Sequence, residues 1–112
     1  MIEQRDLLLV PFPFSDQTGI KVRPVIVISN NSFNSDSEDV LVIGVTSHNS
    51  SGRYTLPLAQ QNLDDGILKF PCSIKVENVL KIDKDLVIKK IGKINNYIFE
   101  KVVKLLVSII KN

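Results

Sequence analysis

The chain has 112 residues, of which 44% are hydrophobic and 23% are charged, with a formal net charge of +2 and one cysteine. This length fits a single domain, 1–112, with one core, and the composition excludes a disordered chain or a fibre. The small net charge excludes a nucleic-acid binder that relies on bulk charge, and the single Cys72 excludes an internal disulfide.

The first half of the chain contains three short apolar runs rich in β-branched residues. DLLLVPF (6–12), PVIVIS (24–29) and DVLVIGVTS (39–47) each predict a strand. The intervening segments, 13–22 and 30–39, contain turn-forming residues and predict loops, the second being dense in Ser, Asn and Asp. The second and third runs lack polar alternation, which predicts strands covered on both faces, inside a small barrel or under a subunit interface.

The second half adds further short elements. GRYTLPL (52–58) predicts a short strand, and QQNLDDG (60–66) predicts a turn. ILKFPCSIKVENVLKID (67–83) predicts two strands or one bent strand, and DLVIKKIGKI (85–94) predicts a last strand. Pro57 either ends its strand or places it at a sheet edge, and Pro71 is the expected bend.

The pattern changes to a helical period after Asn95, which is a plausible N-cap. Apolar residues fall on one wide stripe, namely Ile98, Val102, Leu105 and Ile109, widened by Phe99, Leu106 and Ile110. Short strands followed by this amphipathic helix predict a mainly β fold, a small barrel with the helix packed on it. Because the stripe is wider than one small barrel can cover, we also expect a dimer.

The expected cellular compartment follows from the absence of a secretory signal and of a membrane-spanning stretch in the sequence. The run LLLVPFPF contains two prolines and no small-residue cleavage site, so it does not resemble a secretory signal. No apolar stretch approaches the roughly 20 residues that span a bilayer. The single His48 has no Cys/His cluster of zinc spacing around it. We therefore expect a soluble cytoplasmic protein without a metal or another cofactor.

The stretch KVRPVIVIS (21–29) places Arg23 directly before a proline and a buried strand. A residue before proline is restricted to extended geometry, and proline fits the first position of a strand. Arg23 is therefore predicted to be a preorganised cation at the rim of the barrel. The alternative is an ordinary surface ion pair with Asp16 or Asp36.

The third strand ends in two hydroxyl residues, Thr46 and Ser47, followed by His48. If the end of this strand lies beside the start of the 24–29 strand, the two hydroxyls and the Arg23 guanidinium form one site. A strand-terminal threonine is also a common β-former or cap, and His48 fits a solvated loop as well as a proton-transfer role.

These segments together resemble one known family. DLLLVPFPFSD, KVRPVIVIS, VLVIGVTS and KIDKDLVIKKIGKI, in this order and at these separations, are similar to the MazF/PemK toxin endoribonucleases of bacterial type II toxin–antitoxin modules. The resemblance implies an SH3-like barrel of the CcdB/MazF type and a homodimer. It further implies metal-independent cleavage of single-stranded RNA and a cognate antitoxin that covers the RNA groove.

The resemblance also implies roles for individual residues. Arg23 and Thr46 match the arginine and threonine that carry the reaction in the family. An RNA 2′-hydroxyl would attack the adjacent phosphate, with Arg23 clamping the phosphate and Thr46 orienting the phosphate or the attacking hydroxyl, to give a 2′,3′-cyclic phosphate and a 5′-hydroxyl. Candidate RNA-binding residues are Phe14, Asp16, Lys21, Ser47, His48 and Ser73. Phe14 would stack a base, unless it is a core residue.

Two departures from the family pattern are visible. Some members carry a glutamate shortly before the arginine, whereas here Asp16 is the nearest acid; the usual glycine before the first strand's aspartate is replaced by Arg5. Two other functions stay open: a non-catalytic CcdB-like gyrase poison, for which the terminal SIIKN gives no support, and a silent barrel that binds only its antitoxin.

Overall fold

A computed structural model of the chain describes residues 1–13, 20–47 and 51–112. Its elements are β1 (Asp6–Pro13), β2 (Ile20–Val27), α1 (Asn31–Asp36), β3 (Asp39–Thr46), β4 (Thr55–Leu58), β5 (Leu63–Gly66), β6 (Cys72–Asp83), β7 (Lys89–Ile94) and α2 (Asn96–Ile110). The strands form one curled sheet in the order β4-β6-β3-β2-β1-β7-β5, with antiparallel pairing throughout. The predicted mainly β fold with a C-terminal helix is confirmed.

The sheet buries apolar side chains on both faces, because successive residues of a strand point to opposite sides. One face packs against α2, and its core includes Leu7, Ile26, Ile43, Ile74 and Phe99. The other face holds a second cluster made of Leu8, Val10, Val25, Val27, Val40 and Val42. The prediction that the strands around 24–29 and 39–47 are covered on both faces is therefore confirmed.

A short helix, α1, replaces part of the loop predicted for 30–39. The Asn30 side chain caps it by accepting a hydrogen bond from the Phe33 amide at 2.8 Å. Asn34 is buried, and its Nδ2 donates to the Ser29 carbonyl oxygen at 3.0 Å. The short polar residues that indicated a loop act here as a cap and a buried anchor, two uses that composition alone does not separate.

Strand β2 begins at Ile20, so the predicted start at Pro24 is wrong. Pro24 lies inside the strand, opposite Leu9 of β1. Since proline has no amide hydrogen, it cannot donate to either neighbour, and the paired residues of β2 and β3 run only from Val25 to Val27. Arg23 is held by β1, opposite Val10, and lies beyond the β2–β3 ladder.

Two predictions for the second half also change. The segment 63–66 is a strand, β5, rather than a turn, because it pairs with β7 at the sheet edge. Pro71 does not bend a strand; β6 begins just after it. The bend lies at a bulge further along β6, described with the site below.

Helix α2 begins as predicted, with the Asn95 side chain accepting from the Ile98 amide at 2.9 Å. Ile98, Phe99 and Val102 are buried against the sheet. At the end of the stripe, Ile109 and Ile110 are exposed. The sheet thus leaves the last turn of the apolar stripe uncovered. No helix in the described part of the chain has the length and hydropathy to cross a membrane.

Arg5 forms the turn into β1 with a left-handed backbone, φ 77°. Such a conformation favours glycine, so the side chain must offset the strain. Its Nη1 donates to the Ile94 carbonyl oxygen at 2.8 Å and to Asp64 Oδ2 at 3.0 Å. Arg5 therefore ties the entry turn to the strands at the sheet edge.

A cluster of charged residues lies beside this turn, between β1 and β7. Asp6 is fully buried, and its Oδ1 lies 3.1 Å from Lys90 Nζ and 3.4 Å from Lys93 Nζ. Lys93 also donates to Glu3 Oε1 at 2.9 Å. This hydrogen bond and the lysine charge lower the pKa of Glu3, and the same bond raises the pKa of Lys93 against the opposing effect of burial.

Candidate active site

The strand register places Arg23 and Thr46 at matching positions on neighbouring strands. Val25 of β2 lies directly opposite Gly44 of β3. Two residues further along each strand, on the same side of the sheet, are Arg23 and Thr46. Both residues line one open pocket of about 250 Å³. The two strand-end residues predicted to meet are therefore brought together.

Strand β6 supplies the third wall of this pocket, which we call the phosphate pocket. Lys75 of β6 lies opposite Gly44, and Ser73 lies opposite Thr46. The full lining of the phosphate pocket is Arg23, Pro24, Gly44, Val45, Thr46, Lys75 and Asn78. Arg23 and Lys75 thus provide two cationic side chains on either side of Thr46.

A bulge in β6 shapes the pocket wall. Ile43 pairs with Val79 and the next residue, Gly44, pairs with Lys75, so Val76, Glu77 and Asn78 have no partner on β3. Such an insertion bends a strand and redirects its side chains. Asn78 is thereby brought to the pocket beside Gly44.

Gly44 keeps the floor of the phosphate pocket open. A Cβ at this position would lie 3.5 Å from Asn78 Cβ, which is ordinary van der Waals contact. Alanine would therefore fit, whereas a larger side chain would extend into the space between Arg23 and Lys75. The glycine serves the shape of the pocket and not an unusual backbone conformation.

Lys75 and Asn78 are pocket residues that the sequence analysis did not identify. Lys75 is partly exposed, and its Nζ lies 3.9 Å from Glu77 Oε2, a long surface ion pair of small expected energy. A period of two starting from Ser73 would have placed Lys75 on the side of the sheet that carries Thr46. The position of Asn78 depends on the bulge, which the sequence does not reveal.

The remaining predicted RNA-binding residues fall into three groups. Lys21 and Ser47 join Arg23 around a smaller cavity of about 140 Å³ next to the phosphate pocket. Ser73 is 3% exposed, lies opposite Thr46 on β6, and does not line either of these two cavities. Phe14, Asp16 and His48 lie outside the described residues. Their contacts with RNA stay predictions.

The chemistry of the phosphate pocket is that of an anion site. Among the described residues that line it, none has a carboxylate or an imidazole; they contribute a guanidinium, an ammonium, a hydroxyl and an amide. A planar guanidinium binds two phosphate oxygens at once, and a second cation adds to the attraction. No group of three or more His, Cys, Asp or Glu residues suited to a metal ion occurs within residues 1–13, 20–47 and 51–112.

Comparison with known proteins identifies the family. A sequence profile described as PemK-like, MazF-like toxin of type II toxin–antitoxin system matches residues 3–110. The chain belongs to this toxin family. The resemblance found in the sequence is thereby confirmed. A comparison with curated protein sequences gives no significant match.

Solved structures of MazF-type toxins share the fold. An endoribonuclease in complex with its cognate antitoxin from a Mycobacterial species superposes with a TM-score of 0.78 at 14% identity, covering 98% of this chain and 95% of that one. MazE–MazF from Deinococcus radiodurans superposes with a TM-score of 0.79 at 16% identity, covering 97% of this chain and 95% of that one. Mycobacterium tuberculosis toxin MazF-mt6 superposes with a TM-score of 0.74 at 16% identity, covering 93% of this chain and 94% of that one. At these identities the likeness is one of fold.

Proposed function

We propose that the chain is the toxin of a type II toxin–antitoxin module and cleaves single-stranded RNA at short sequence motifs without a metal ion. The main support is the single pocket that holds Arg23, Thr46 and Lys75. Two cations and a hydroxyl around an open cavity suit a phosphodiester that gains negative charge during the reaction. Membership of the PemK-like, MazF-like family adds support.

The proposed reaction uses a nucleophile that RNA itself carries. The 2′-oxygen forms a bond to the adjacent phosphorus, the bond from phosphorus to the 5′-oxygen breaks, and one proton leaves the 2′-hydroxyl while another reaches the 5′-oxygen. The products are a 2′,3′-cyclic phosphate and a 5′-hydroxyl. The protein must hold the three atoms in line and balance the charge of the phosphorane.

Each residue of the phosphate pocket has a part in this scheme. Arg23 binds two non-bridging oxygens of the phosphate, and its fixed position in β2 avoids reorganisation during the reaction. Lys75 adds a second positive charge from the opposite wall. Thr46 orients the phosphate or the attacking hydroxyl. These roles all stabilise charge or position atoms.

Proton transfer requires groups of another kind. Arginine is a poor base at neutral pH, so Arg23 serves as a donor to the leaving oxygen at most. Asp16 and His48 are the candidates for the base, since they flank the strands that carry Arg23 and Thr46 in the sequence. Histidine has the ordinary pKa best suited to this step.

The proposal includes two protein partners. The Mycobacterial endoribonuclease with this fold is in complex with its cognate antitoxin, and the Deinococcus radiodurans structure contains MazE with MazF, which supports a cognate antitoxin that covers the RNA groove here. A second copy of the chain would cover the exposed apolar side chains on the later turns of α2. The toxin would act in the cytoplasm, where its RNA substrate is found.

The chemistry can be tested with matched oligonucleotides in EDTA. We expect cleavage of single-stranded RNA to a cyclic phosphate and a 5′-hydroxyl, no cleavage of DNA of the same sequence, and no cleavage when the nucleotide before the cut is 2′-deoxy. Cleavage of DNA, or products with a 5′-phosphate, would contradict the mechanism. If the folded protein leaves all RNA intact, a gyrase supercoiling assay tests the CcdB-like alternative.

A further inference from the structure

The phosphate pocket adjoins two further cavities. It shares Arg23, Pro24 and Val45 with the small cavity of about 140 Å³. That cavity in turn shares Val22, Pro24 and Ser47 with a third one of about 390 Å³. The three cavities therefore adjoin one another through shared lining residues beside β2 and β3, and we call this row of cavities the groove.

The third cavity, which we call the base cavity, has mostly apolar walls. These come from β1, β2, β7 and the segment before β6, and comprise Leu9, Val22, Pro24, Ile67, Leu68, Phe70, Cys72 and Ile91, with Ser47, Lys69 and Lys89 as polar members. Phe70 is 55% exposed and Ile67 is 79% exposed. A neighbouring pair of large apolar side chains left so open indicates a binding surface.

The composition of the base cavity suits one class of ligand. Its size lies within the range of small-molecule sites, and its few polar groups are at the side chains of Ser47, Lys69 and Lys89. Single-stranded nucleic acids bind to surfaces that combine aromatic rings, which stack with bases, and cations, which attract the backbone. Phe70 and the two lysines provide this combination.

We propose that the base cavity binds the base of a nucleotide adjacent to the scissile phosphate and thereby sets the sequence preference at that position. The base stacks on Phe70, while Lys69 and Lys89 attract neighbouring phosphates. Ser47 lines both the base cavity and the small cavity of about 140 Å³, so the RNA strand would pass it between the base cavity and the phosphate pocket. This inference rests on the proposed function, because the groove begins at the phosphate pocket.

The test uses both binding and cleavage, so that the two proposals can fail separately. Binding is measured by fluorescence anisotropy with a labelled single-stranded RNA made uncleavable by 2′-deoxy substitution, and cut sites are mapped on a mixed RNA. The variants are Phe70→Ala and Lys89→Gln. Tyr97→Ala is the matched control, because Tyr97 is an exposed aromatic on α2 that does not line the groove.

We expect Phe70→Ala to weaken RNA binding about 10-fold and to relax the base preference at one position beside the cut, while cleavage continues. Lys89→Gln should lower the salt dependence of binding, with log K against log salt becoming less steep by about 0.7. Tyr97→Ala should behave as the wild type does. Since Phe70 and Lys89 are exposed, thermal unfolding should be unchanged in both groove variants.

Each outcome separates the two proposals. If the wild type cleaves RNA and Phe70→Ala binds and cleaves with unchanged affinity and motif, the base cavity is refuted and the ribonuclease stands. If uncleavable RNA binds in a manner that depends on Phe70 but cleavable RNA stays intact, the ribonuclease is refuted, and of the second proposal only the binding of a base at the cavity stands. Absence of both binding and cleavage refutes both.

Discussion

Arg23 and Thr46 occupy matching positions on two antiparallel strands, two residues beyond the pair Val25–Gly44, and line the same pocket. Pro24 contributes to this arrangement because it has no amide hydrogen, and the β2–β3 pairing does not reach Arg23. The two side chains therefore line this pocket beyond the last β2–β3 pair. The scissile phosphate of the proposed reaction would bind there.

Two substitutions distinguish the role of the Thr46 hydroxyl from that of its methyl group. We expect Thr46→Ala to lower the cleavage rate by about 100-fold, as for loss of a donor to the transition state, and Thr46→Ser to keep most of the activity. Initial rates on a single-stranded RNA would show this difference. Equal losses in both variants would mean that the methyl group and its packing matter, not the hydroxyl.

The shape of the phosphate pocket can be tested at Gly44. Gly44→Val should fill the space between Arg23 and Lys75 and reduce RNA binding and cleavage by roughly 10-fold or more, whereas Gly44→Ala should cause a smaller loss because a Cβ meets only ordinary contacts. Affinity and rate are measured together with thermal unfolding. Full activity of a folded Gly44→Val variant would place the substrate elsewhere.

The sequence predicted the fold better than it predicted the site. The apolar runs of β1, β2 and β3 and the helical stripe of α2 reflect which side chains are buried, so these elements can be found from hydrophobic pattern. The four-residue strand β5 has the polar sequence LDDG, and only its pairing with β7 makes it a strand. Local composition does not contain that information.

Within the candidate site, Arg23 and Thr46 can be predicted from local sequence, whereas the places of Lys75 and Asn78 depend on the register and the bulge of β6. Arg23 and Thr46 are marked by the proline and by the end of an apolar run. Lys75 lies in a segment that is predicted to be a strand, but its neighbouring strand is not predicted. Asn78 lines the pocket only because of the bulge in β6. Register across the sheet is a long-range property that a short segment does not fix.

The later turns of α2 provide a test of the proposed dimer. Val107 is 50% exposed and Ile110 is 74% exposed, while Ile98 and Val102 at the start of the helix are buried. We expect Val107→Asp to shift a dimer to monomer in sedimentation equilibrium without loss of secondary structure, because a carboxylate is poorly accommodated in an apolar interface. Lys104→Asp is the control for charge. A wild type that stays monomeric at high concentration would contradict the dimer.

The pair formed by Glu3 and Lys93 predicts how stability depends on pH. The pKa of Glu3 is lowered from its ordinary 4.5, so its contribution is complete above pH 4.5 and is lost as the pH falls through the folded-state pKa. The pKa of Lys93 is raised above 10.5, so its contribution is complete below pH 10.5 and is lost as the pH rises through the folded-state value.

Substitutions of Glu3 and Lys93 test the predicted pH dependence of stability in acid and at neutral pH. The difference in free energy of unfolding between the wild type and Glu3→Gln should disappear in acid. Lys93→Met should be more destabilising than Glu3→Gln at neutral pH, because it also removes a cation 3.4 Å from the buried Asp6 carboxylate. Denaturant unfolding at a series of pH values measures both. A Glu3→Gln difference that grows as the pH falls would have the wrong sign.

The assignment of Arg23 to the active site is tested by comparing wild-type protein with Arg23→Ala on a mixed single-stranded RNA in EDTA, with mapping of the new 5′ ends. Arg53→Ala is the matched control, because Arg53 is exposed and does not line the groove. We predict discrete cuts with 5′-hydroxyl ends for the wild type and Arg53→Ala, and at least about 100-fold slower cutting by a folded Arg23→Ala. Cutting by Arg23→Ala at the wild-type rate would contradict the assignment of this pocket as the active site.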